Sequence, residues 1–114
     1  MIVVVFGGSG FLGSHVADAL TEKGHDVLIY DSKESPYLKK NQKMISGDIL
    51  DEELIYRTIK KAAIVYNFAG IADIDECILR PLDVAKYNVL GNSVILEACR
   101  LADIKRYLFA SSSY

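Results

Sequence analysis

The sequence has few of the features that mark membrane-bound, secreted or nucleic-acid-binding proteins. No apolar run approaches the roughly 20 residues that span a bilayer. The chain opens on an apolar run, without the basic segment that begins a secretory signal. Its formal net charge of −2 provides no positive field for nucleic acid or an anionic membrane. We therefore predict neither a nucleic-acid partner nor a membrane partner.

Cysteine is also scarce. The chain has two cysteines, Cys77 and Cys99, and their spacing matches neither a zinc site nor a redox motif. We interpret both as reduced thiols of a cytoplasmic protein, at core or surface positions, and we predict no metal site. Hydrophobic residues make up 51% of the 114 residues, which is enough for a packed core and too many for a disordered chain.

Strand-like and helix-like segments alternate along the chain. Strands are predicted over residues 2–6, 26–30, 43–46 and 63–68 and within 103–110, and helices over 11–23, after Asp51, and from Pro81 to about residue 101. Residues 32–42 are polar and contain Pro36, which predicts a loop with at most a short helix.

This alternation predicts a doubly wound, Rossmann-like α/β fold. Five strands separated by helices favour a parallel sheet in the order 3-2-1-4-5, with helices on both faces. Ligands bind such a sheet at the carboxyl edge of the strands, where strands 1 and 4 diverge. The polar clusters described next all follow the carboxyl ends of predicted strands, as this fold requires.

Three glycines spaced three residues apart follow the first predicted strand. Gly7 permits a tight turn, Gly10 removes a side chain where a pyrophosphate comes close, and Gly13 lets the helix pack against the strand. Free amides at the helix start would bind the phosphates, assisted by the helix dipole. A purely structural turn is the alternative, but the flanking strand and helix favour a dinucleotide site. A Walker-type loop is excluded because no Gly-Lys-Ser/Thr follows.

A carboxylate follows at the spacing expected of a ribose-binding acid. Asp31 lies 18 residues after Gly13, close to the roughly 20 expected, and can accept hydrogen bonds from both adenosine-ribose hydroxyls. A 2′-phosphate would bring like charges about 4 Å apart, at a cost of roughly 1 to 4 kcal/mol, which favours NAD over NADP. We include Ser32 and Lys33 in the cofactor site, although the Lys33 ammonium could partly neutralise a 2′-phosphate. An ordinary turn is the alternative for Asp31.

Gly47-Asp48-Ile49 ends the third predicted strand. A carboxylate and an apolar side chain at this place could bind the amino group of an adenine and cover its face. Taken by itself, however, Gly-Asp is a common turn, and these residues alone favour that interpretation.

A series of short motifs occurs in order along the chain. They are Phe6-Gly-Gly-Ser-Gly-Phe-Leu-Gly-Ser-His15, Tyr30-Asp31, Gly47-Asp48-Ile49, Asn67-Phe-Ala-Gly70, Pro81-Leu82, Asn88-Val-Leu-Gly91, Leu96-Glu-Ala98 and Phe109-Ala-Ser-Ser-Ser113. Together they resemble the N-terminal part of the extended short-chain dehydrogenase/reductase family, which includes UDP-galactose 4-epimerase and the sugar-nucleotide dehydratases. The resemblance covers the whole chain and is far more specific than the glycine loop alone. One departure is Phe6, where the family commonly has Thr.

The resemblance implies NAD as the cofactor and gives roles to individual residues. Phe11 and Leu12 would contact the pyrophosphate through backbone groups. Asp48 and Ile49 would bind adenine, which reverses the preference for an ordinary turn at this pair.

A second group of implied roles lies after the fourth predicted strand. Phe68, Ala69 and Gly70 would line the cofactor near its ribose and phosphates; the alternative is simply the end of a buried strand. Asn88, one turn into a helix, would be a buried amide that helps to order the loop after strand 4. It could equally be an exposed helix residue.

Ser112 matches the position of the family's catalytic hydroxyl, which hydrogen-bonds the reacting sugar oxygen. A shift of one residue would place Ser111 or Ser113 there, and a polar strand end is the alternative to catalysis. The family's general base is a tyrosine in a Tyr-x-x-x-Lys segment beyond the serine. No such segment follows Ser112. Tyr114 cannot replace it, because it lies too close to the serine and has no lysine four residues later.

We therefore expect an N-terminal fragment of a longer enzyme, with residues 1–114 as its dinucleotide-binding domain and the catalytic and substrate part absent. The expected function is the NAD-binding portion of a sugar-nucleotide epimerase or dehydratase, acting by transient hydride transfer at a sugar carbon. The full-length enzyme would bind a nucleotide-sugar substrate and form a homo-oligomer; the fragment alone would be inactive. The alternatives are an NAD(P)-dependent reductase of a non-sugar carbonyl and a non-catalytic NAD-binding module.

Overall fold

A parallel sheet forms the centre of the computed structural model, which describes residues 1–112. Its strands are β1 (Ile2–Phe6), β2 (Asp26–Asp31), β3 (Gln42–Ser46), β4 (Ile64–Asn67) and β5 (Arg106–Phe109). They lie in the order β3-β2-β1-β4-β5, and the strand pairings within this part of the chain are parallel. The predicted fold class and strand order are confirmed.

Helices pack on both faces of the sheet. They are α1 (Phe11–Glu22), α2 (Glu52–Ile59), α3 (Ile74–Leu79), α4 (Pro81–Val84) and α5 (Gly91–Leu101), with a π-helical stretch over Ala85–Leu90. The single helix predicted from Pro81 onward is thus divided into α4, the π-helical stretch and α5. α3 is not predicted, although Asp73 and Glu76 have the spacing of a capping box. The Asp73 carboxylate accepts a hydrogen bond from the Glu76 amide at 3.1 Å.

The central strand is buried on both faces, as its unbroken apolar run predicts. Val4 and Phe6 of β1 pack in one cluster with residues of α2 and α5. Val3 and Val5 pack in a second cluster with Ala17 of α1. Burying a side chain of this size contributes about 1.5–3 kcal/mol. The carboxyl end of β1, where the glycine turn begins, is therefore anchored from both sides.

α1 approaches the sheet through small residues. Gly13 and Ala17 are buried, whereas Phe11 is 81% exposed and Leu12 is 54% exposed. The helix is therefore where its apolar spacing predicts it, but its first two apolar side chains face away from the core. A Cβ atom at Gly13 would lie 2.2 Å from the Gly7 carbonyl oxygen, so this face has no room for a larger residue.

The last part of the 81–101 segment packs on the sheet. Ile95 and Cys99 of α5 are buried in the core. Leu82 in α4 and Val89 in the π-helical stretch are mainly exposed. The apolar positions of this segment do not form one buried face, because α5 contributes buried residues to the core whereas α4 and the π-helical stretch contribute none.

Three further findings concern the described part of the chain. No helix within residues 1–112 is long and apolar enough to cross a membrane. The same residues contain no group of three or more His, Cys, Asp and Glu side chains that could hold a metal ion. Cys77 and Cys99 are free thiols, and burial raises the pKa of Cys99 to about 11.

Candidate functional site

A cleft of about 570 Å³ lies at the carboxyl edge of the sheet. This volume is within the range of small-molecule and cofactor sites, roughly 300–1,000 Å³. The predicted cofactor-binding residues that line it are Gly7, Gly10, Asp31, Ser32, Lys33, Asp48, Ile49, Phe68, Ala69 and Gly70. The fold thus brings segments that follow four different strands to one place.

The glycine turn after β1 forms one wall of the cleft. Gly7 has a φ of +76°, which favours glycine, and a Cβ atom there would lie 2.6 Å from the carbonyl carbon of Phe68. Gly10 differs, because the nearest atom to a Cβ placed there is the Gly7 oxygen at 3.4 Å, an ordinary contact. The turn therefore requires glycine at position 7, whereas the absent side chain at Gly10 leaves space beside the cleft.

Gly10 is also the N-cap of α1, and it has no side chain with which to cap the helix. The first amides of an α-helix lack intrahelical acceptors. In α1 those amides belong to Phe11, Leu12 and Gly13, whose side-chain positions do not line the cleft. Any contact that these residues make with an anion in the cleft would therefore involve their backbone N–H groups.

The Asp31 carboxylate at the end of β2 links the glycine turn to the next loop. One oxygen accepts a hydrogen bond from the Ser9 amide and the other from the Lys33 amide, both at 3.1 Å. The Ser9 hydroxyl donates to the Lys33 carbonyl oxygen at 2.7 Å. Ser9 is absent from the sequence prediction; its place within the glycine turn, beside the acid, is the signal that could have found it.

The Tyr30 side chain stabilises the turn after β3. Its hydroxyl donates to the Asp48 carbonyl oxygen at 2.6 Å, and a Cβ atom at Gly47 would lie 2.5 Å from that hydroxyl. Burial, reinforced by the charges of Asp51 and Asp48, raises the pKa of Tyr30 to about 12, so the hydroxyl remains a donor. The Asp48 carboxylate accepts a bond from the Leu50 amide at 2.8 Å. Asp48 thus forms a turn and lines the cleft at once.

The loop after β4 forms the opposite wall. Gly70 has a φ of +144°, and a Cβ atom there would lie 2.7 Å from Asn88 Oδ1. Asn88 does not line the cleft. Asn88 stabilises the loop through two hydrogen bonds to the backbone of Ile71. Its Oδ1 accepts from the Ile71 amide at 2.7 Å, and its Nδ2 donates to the Ile71 carbonyl oxygen at 2.8 Å.

Ser111 and Ser112, two of the three predicted catalytic serines, follow the end of β5. Ser111 and Ser112 are exposed, and neither lines the cleft. Ser113 and Tyr114 are outside the described residues. A Tyr-x-x-x-Lys spacing does occur at Tyr56 in α2 and Lys60, the C-cap of that helix, but it lies upstream of the serines and neither residue lines the cleft. The assignment of Ser112 stays a prediction.

A buried polar network joins β4, β5 and α5. Asn67 Nδ2 donates to Asn92 Oδ1 at 3.1 Å and to the Tyr107 hydroxyl at 3.0 Å, and the Tyr107 hydroxyl donates to Asn92 Oδ1. Asn67 Oδ1 accepts from the Ala69 amide at 2.9 Å. Sequence reasoning misses this network, although an asparagine inside an apolar strand is a signal for one.

Several residues that line the cleft are not among those predicted from the sequence. Those outside the predicted set are Phe6, Ser9, Tyr30, Glu34, Pro36, Gly47, Ile71, Arg80 and Tyr87. Arg80 adds a cation to the cleft wall, and its guanidinium is ion-paired to Glu76 at 2.8 Å and Asp83 at 3.4 Å.

Comparisons with known proteins agree with this geometry. The sequence profile of the NAD dependent epimerase/dehydratase family matches residues 3–114. A UDP-glucose 4-epimerase of Klebsiella pneumoniae is 34% identical over 99% of this chain and 90% of that protein. One from Yersinia pestis is 36% identical over 99% of this chain, but the match covers 37% of that protein. The chain therefore spans 37% of the length of the Yersinia relative but 90% of the Klebsiella one.

Solved structures show the same relationship. The UDP-glucose 4-epimerase of Thermotoga maritima with UDP-glucose superposes with a TM-score of 0.92 at 32% identity, covering 98% of this chain and 38% of that one. The Brucella ovis UDP-glucose 4-epimerase in complex with NAD gives a TM-score of 0.90 at 33% identity, covering 98% and 36%. The homology is to the N-terminal part of these enzymes.

Proposed function

Because the chain belongs to the NAD dependent epimerase/dehydratase family, we propose that residues 1–114 form the dinucleotide-binding domain of an NAD-dependent nucleotide-sugar epimerase. The observation that carries the proposal is the convergence of the glycine turn after β1 and the Asp31 carboxylate after β2 on one cleft. This strand order creates a switch point at the carboxyl edge, where dinucleotides bind. The Thermotoga and Brucella enzymes, solved with UDP-glucose and with NAD, support the substrate and cofactor classes.

The residues of the cleft fit NAD. A carboxylate offers roughly four acceptor sites, and the amides of Ser9 and Lys33 use two of those on Asp31. The remaining sites match the two hydroxyls of the adenosine ribose. The uncapped start of α1 suits the diphosphate, and Asp48 with Ile49 would hold the adenine. A 2′-phosphate would meet the Asp31 charge, which favours NAD over NADP.

The residues of this chain would position the reactants. NAD held in the cleft would supply reversible hydride chemistry for a sugar carbon. The chain would bind and orient NAD, and Ser112, or its neighbours Ser111 or Ser113, would hydrogen-bond the reacting sugar oxygen. No Tyr-x-x-x-Lys segment follows Ser112 to supply the general base. We therefore expect these 114 residues alone to bind NAD without turning over UDP-sugars.

Isothermal titration calorimetry with NAD and NADP tests the binding proposal. We expect NAD to bind more tightly than NADP. The Asp31→Asn substitution should weaken NAD binding about 10-fold and reduce the preference for NAD over NADP. Asp26→Asn is the matched control, because Asp26 is an exposed acid at the opposite end of the same strand; it should leave both affinities unchanged. An unaltered NAD affinity in Asp31→Asn, or no NAD binding by the parent chain, would overturn the proposal.

Two further observations separate the alternative functions. Interconversion of UDP-sugars by the 114-residue chain would refute the expectation of inactivity. The coding sequence beyond residue 114 decides between an enzyme and a non-catalytic module: a Tyr-x-x-x-Lys segment supports the enzyme, and a stop codon directly after Tyr114 supports the module.

A further inference from the structure

Asn67, the last residue of β4, is 1% exposed. A buried amide is stable only when its donors and acceptor are all bonded, because an unsatisfied polar group costs free energy of desolvation. Each end of this amide has a different task. The Nδ2 group is bonded into the core of the domain, and the Oδ1 atom faces the loop that lines the cleft.

The hydrogens of this network fix which way the amide points. Asn67 Nδ2 has two hydrogens, one for Asn92 Oδ1 and one for the Tyr107 oxygen, and the Tyr107 hydroxyl gives its own hydrogen to Asn92 Oδ1. If the Asn67 amide were turned over, its NH₂ group would face the Ala69 amide hydrogen. Its oxygen would face the Asn92 oxygen and a Tyr107 hydroxyl whose hydrogen is already given to Asn92. The network therefore keeps the oxygen aimed at Ala69.

The backbone of Asn67 connects the same point to two other strands. Its carbonyl oxygen accepts from the Ala110 amide at 3.2 Å, directly before Ser111. The next amide, that of Phe68, donates to the Phe6 carbonyl oxygen at 2.8 Å, directly before the glycine turn. Asn67 and the amide that follows it are thus tied to the ends of β1 and β5 and to the loop after β4.

We propose that Asn67 is a positioning residue: held by Tyr107 and Asn92, it sets where the loop Phe68–Gly70 lies in the cofactor cleft relative to β5. The proposal rests on the proposed function for its ligand, NAD, but its structural content, the control of the Ala69 amide, can be measured without one. Tyr107 supports the arrangement at any pH used for such work. Its burial raises its pKa to about 12, so the hydroxyl keeps the hydrogen that it donates.

Three variants test the proposal. Asn67→Leu removes the amide while keeping a similar volume, and Tyr107→Phe removes the hydroxyl as a milder change that preserves folding. Gln42→Met is the matched control. Gln42 is another buried amide, which donates to Asp18 and Thr21 and accepts from the Lys39 amide, but it lies on β3 and does not line the cleft.

The first measurement compares the affinities of NAD and AMP by calorimetry. AMP uses the adenosine end of the cleft, at Asp31 and Asp48, whereas NAD also passes the loop after β4. We expect Asn67→Leu to weaken NAD binding about 10-fold and AMP binding less than about twofold, with Tyr107→Phe between Asn67→Leu and the parent. A general loss of stability would weaken the binding of NAD and AMP by the same factor. Any effect of Gln42→Met on binding should likewise be equal for the two ligands.

The second measurement is amide hydrogen exchange by NMR, without ligand. In Asn67→Leu and Tyr107→Phe, the Ala69 amide should exchange at least about 10-fold faster, and the Ala110 amide, bonded to a backbone oxygen, should change less. Equal weakening of NAD and AMP, or an Ala69 amide as protected as in the parent, would overturn the proposal. If the parent binds no NAD, the proposed function fails, and exchange at Ala69 still decides whether Asn67 positions the loop.

Discussion

The Tyr30 hydroxyl donates a hydrogen bond of 2.6 Å to the Asp48 carbonyl oxygen, joining the end of β2 to the turn after β3. Removing the hydroxyl leaves the carbonyl oxygen without this donor. We expect Tyr30→Phe to lower the free energy of unfolding by about 0.5–1.5 kcal/mol in urea denaturation, and to weaken AMP binding as the Asp48 turn loosens. Tyr56→Phe, an exposed tyrosine of α2, is the control; equal effects of both variants would contradict the assignment.

The stability of the domain should fall at alkaline pH. Burial raises the pKa of Tyr30 and of Tyr107 from 10.0 to about 12, and that of Cys99 from 9.0 to about 11. The unfolded chain therefore loses these protons at lower pH than the folded chain. Their contribution to stability is complete below about pH 9 and is lost progressively as the pH rises to about 12.

Urea unfolding from about pH 8 to about pH 11 measures this dependence. Tyr107→Phe should flatten the decline, because one of the groups with a raised pKa is removed. A free energy of unfolding that stays constant or rises over this range would count against the assigned environments of these groups.

Gly10 and Gly13 should respond in opposite ways to the same substitution. A Cβ atom at Gly13 would lie 2.2 Å from the Gly7 oxygen, so Gly13→Ala should cost roughly 1–3 kcal/mol of stability. A Cβ atom at Gly10 meets the Gly7 oxygen at an ordinary 3.4 Å, so Gly10→Ala should cost less than about 1 kcal/mol. It should nevertheless abolish most NAD binding, because the methyl group occupies the approach of the diphosphate.

Thermal unfolding and calorimetry on the two variants separate the effects. The prediction fails if Gly10→Ala binds NAD as the parent does, or if Gly13→Ala is as stable as Gly10→Ala. Either result would mean that the turn can shift more freely than its packing against Phe68 indicates.

The isolated chain should self-associate. Phe11 and Leu12 are exposed on α1, and β5, at the edge of the sheet in the described residues, exposes Leu108 and Phe109. Edge strands and apolar patches favour association between copies. Leu108→Lys should reduce the mass measured by light scattering, whereas Leu38→Lys, an exposed leucine of the 32–42 loop, should not. A clean monomer of the parent chain at high concentration would contradict this prediction.

Local signals were sufficient for the sheet and for the first part of the cleft. The unbroken run before Phe6, the glycines from Gly7 to Gly13 and the acid at Asp31 are each read within a short segment. The strand order then follows from alternation and the right-handed crossover rule. The glycines and Asp31 lie in one cleft because the fold brings the ends of β1 and β2 together. No sequence pattern links these residues to each other directly.

The parts that sequence reasoning missed depend on partners far apart in the chain. Asn67 meets Tyr107 across 40 residues and Asn92 across 25, so an asparagine inside an apolar strand indicates a buried network but does not identify its partners. On α1, the glycine spacing predicts close packing at Gly13, and the structure agrees. Apolar spacing alone, however, does not show that Phe11 and Leu12 face away from the core.

Asn88 lies in the π-helical stretch Ala85–Leu90, just before the α-helical geometry resumes at Gly91. A π-type turn is wider than an α-type turn, because its hydrogen bonds run from i to i+5. This extra width lets one continuous helical segment place Asn88 beside Ile71 while Ile95 and Cys99 remain packed on the sheet. Winding the same six residues at 3.6 residues per turn would rotate Asn88 relative to Ile95 and Cys99 and take its amide away from Ile71. The irregular turn therefore sets the orientation of the side chain that holds the cleft loop relative to the side chains that pack in the core.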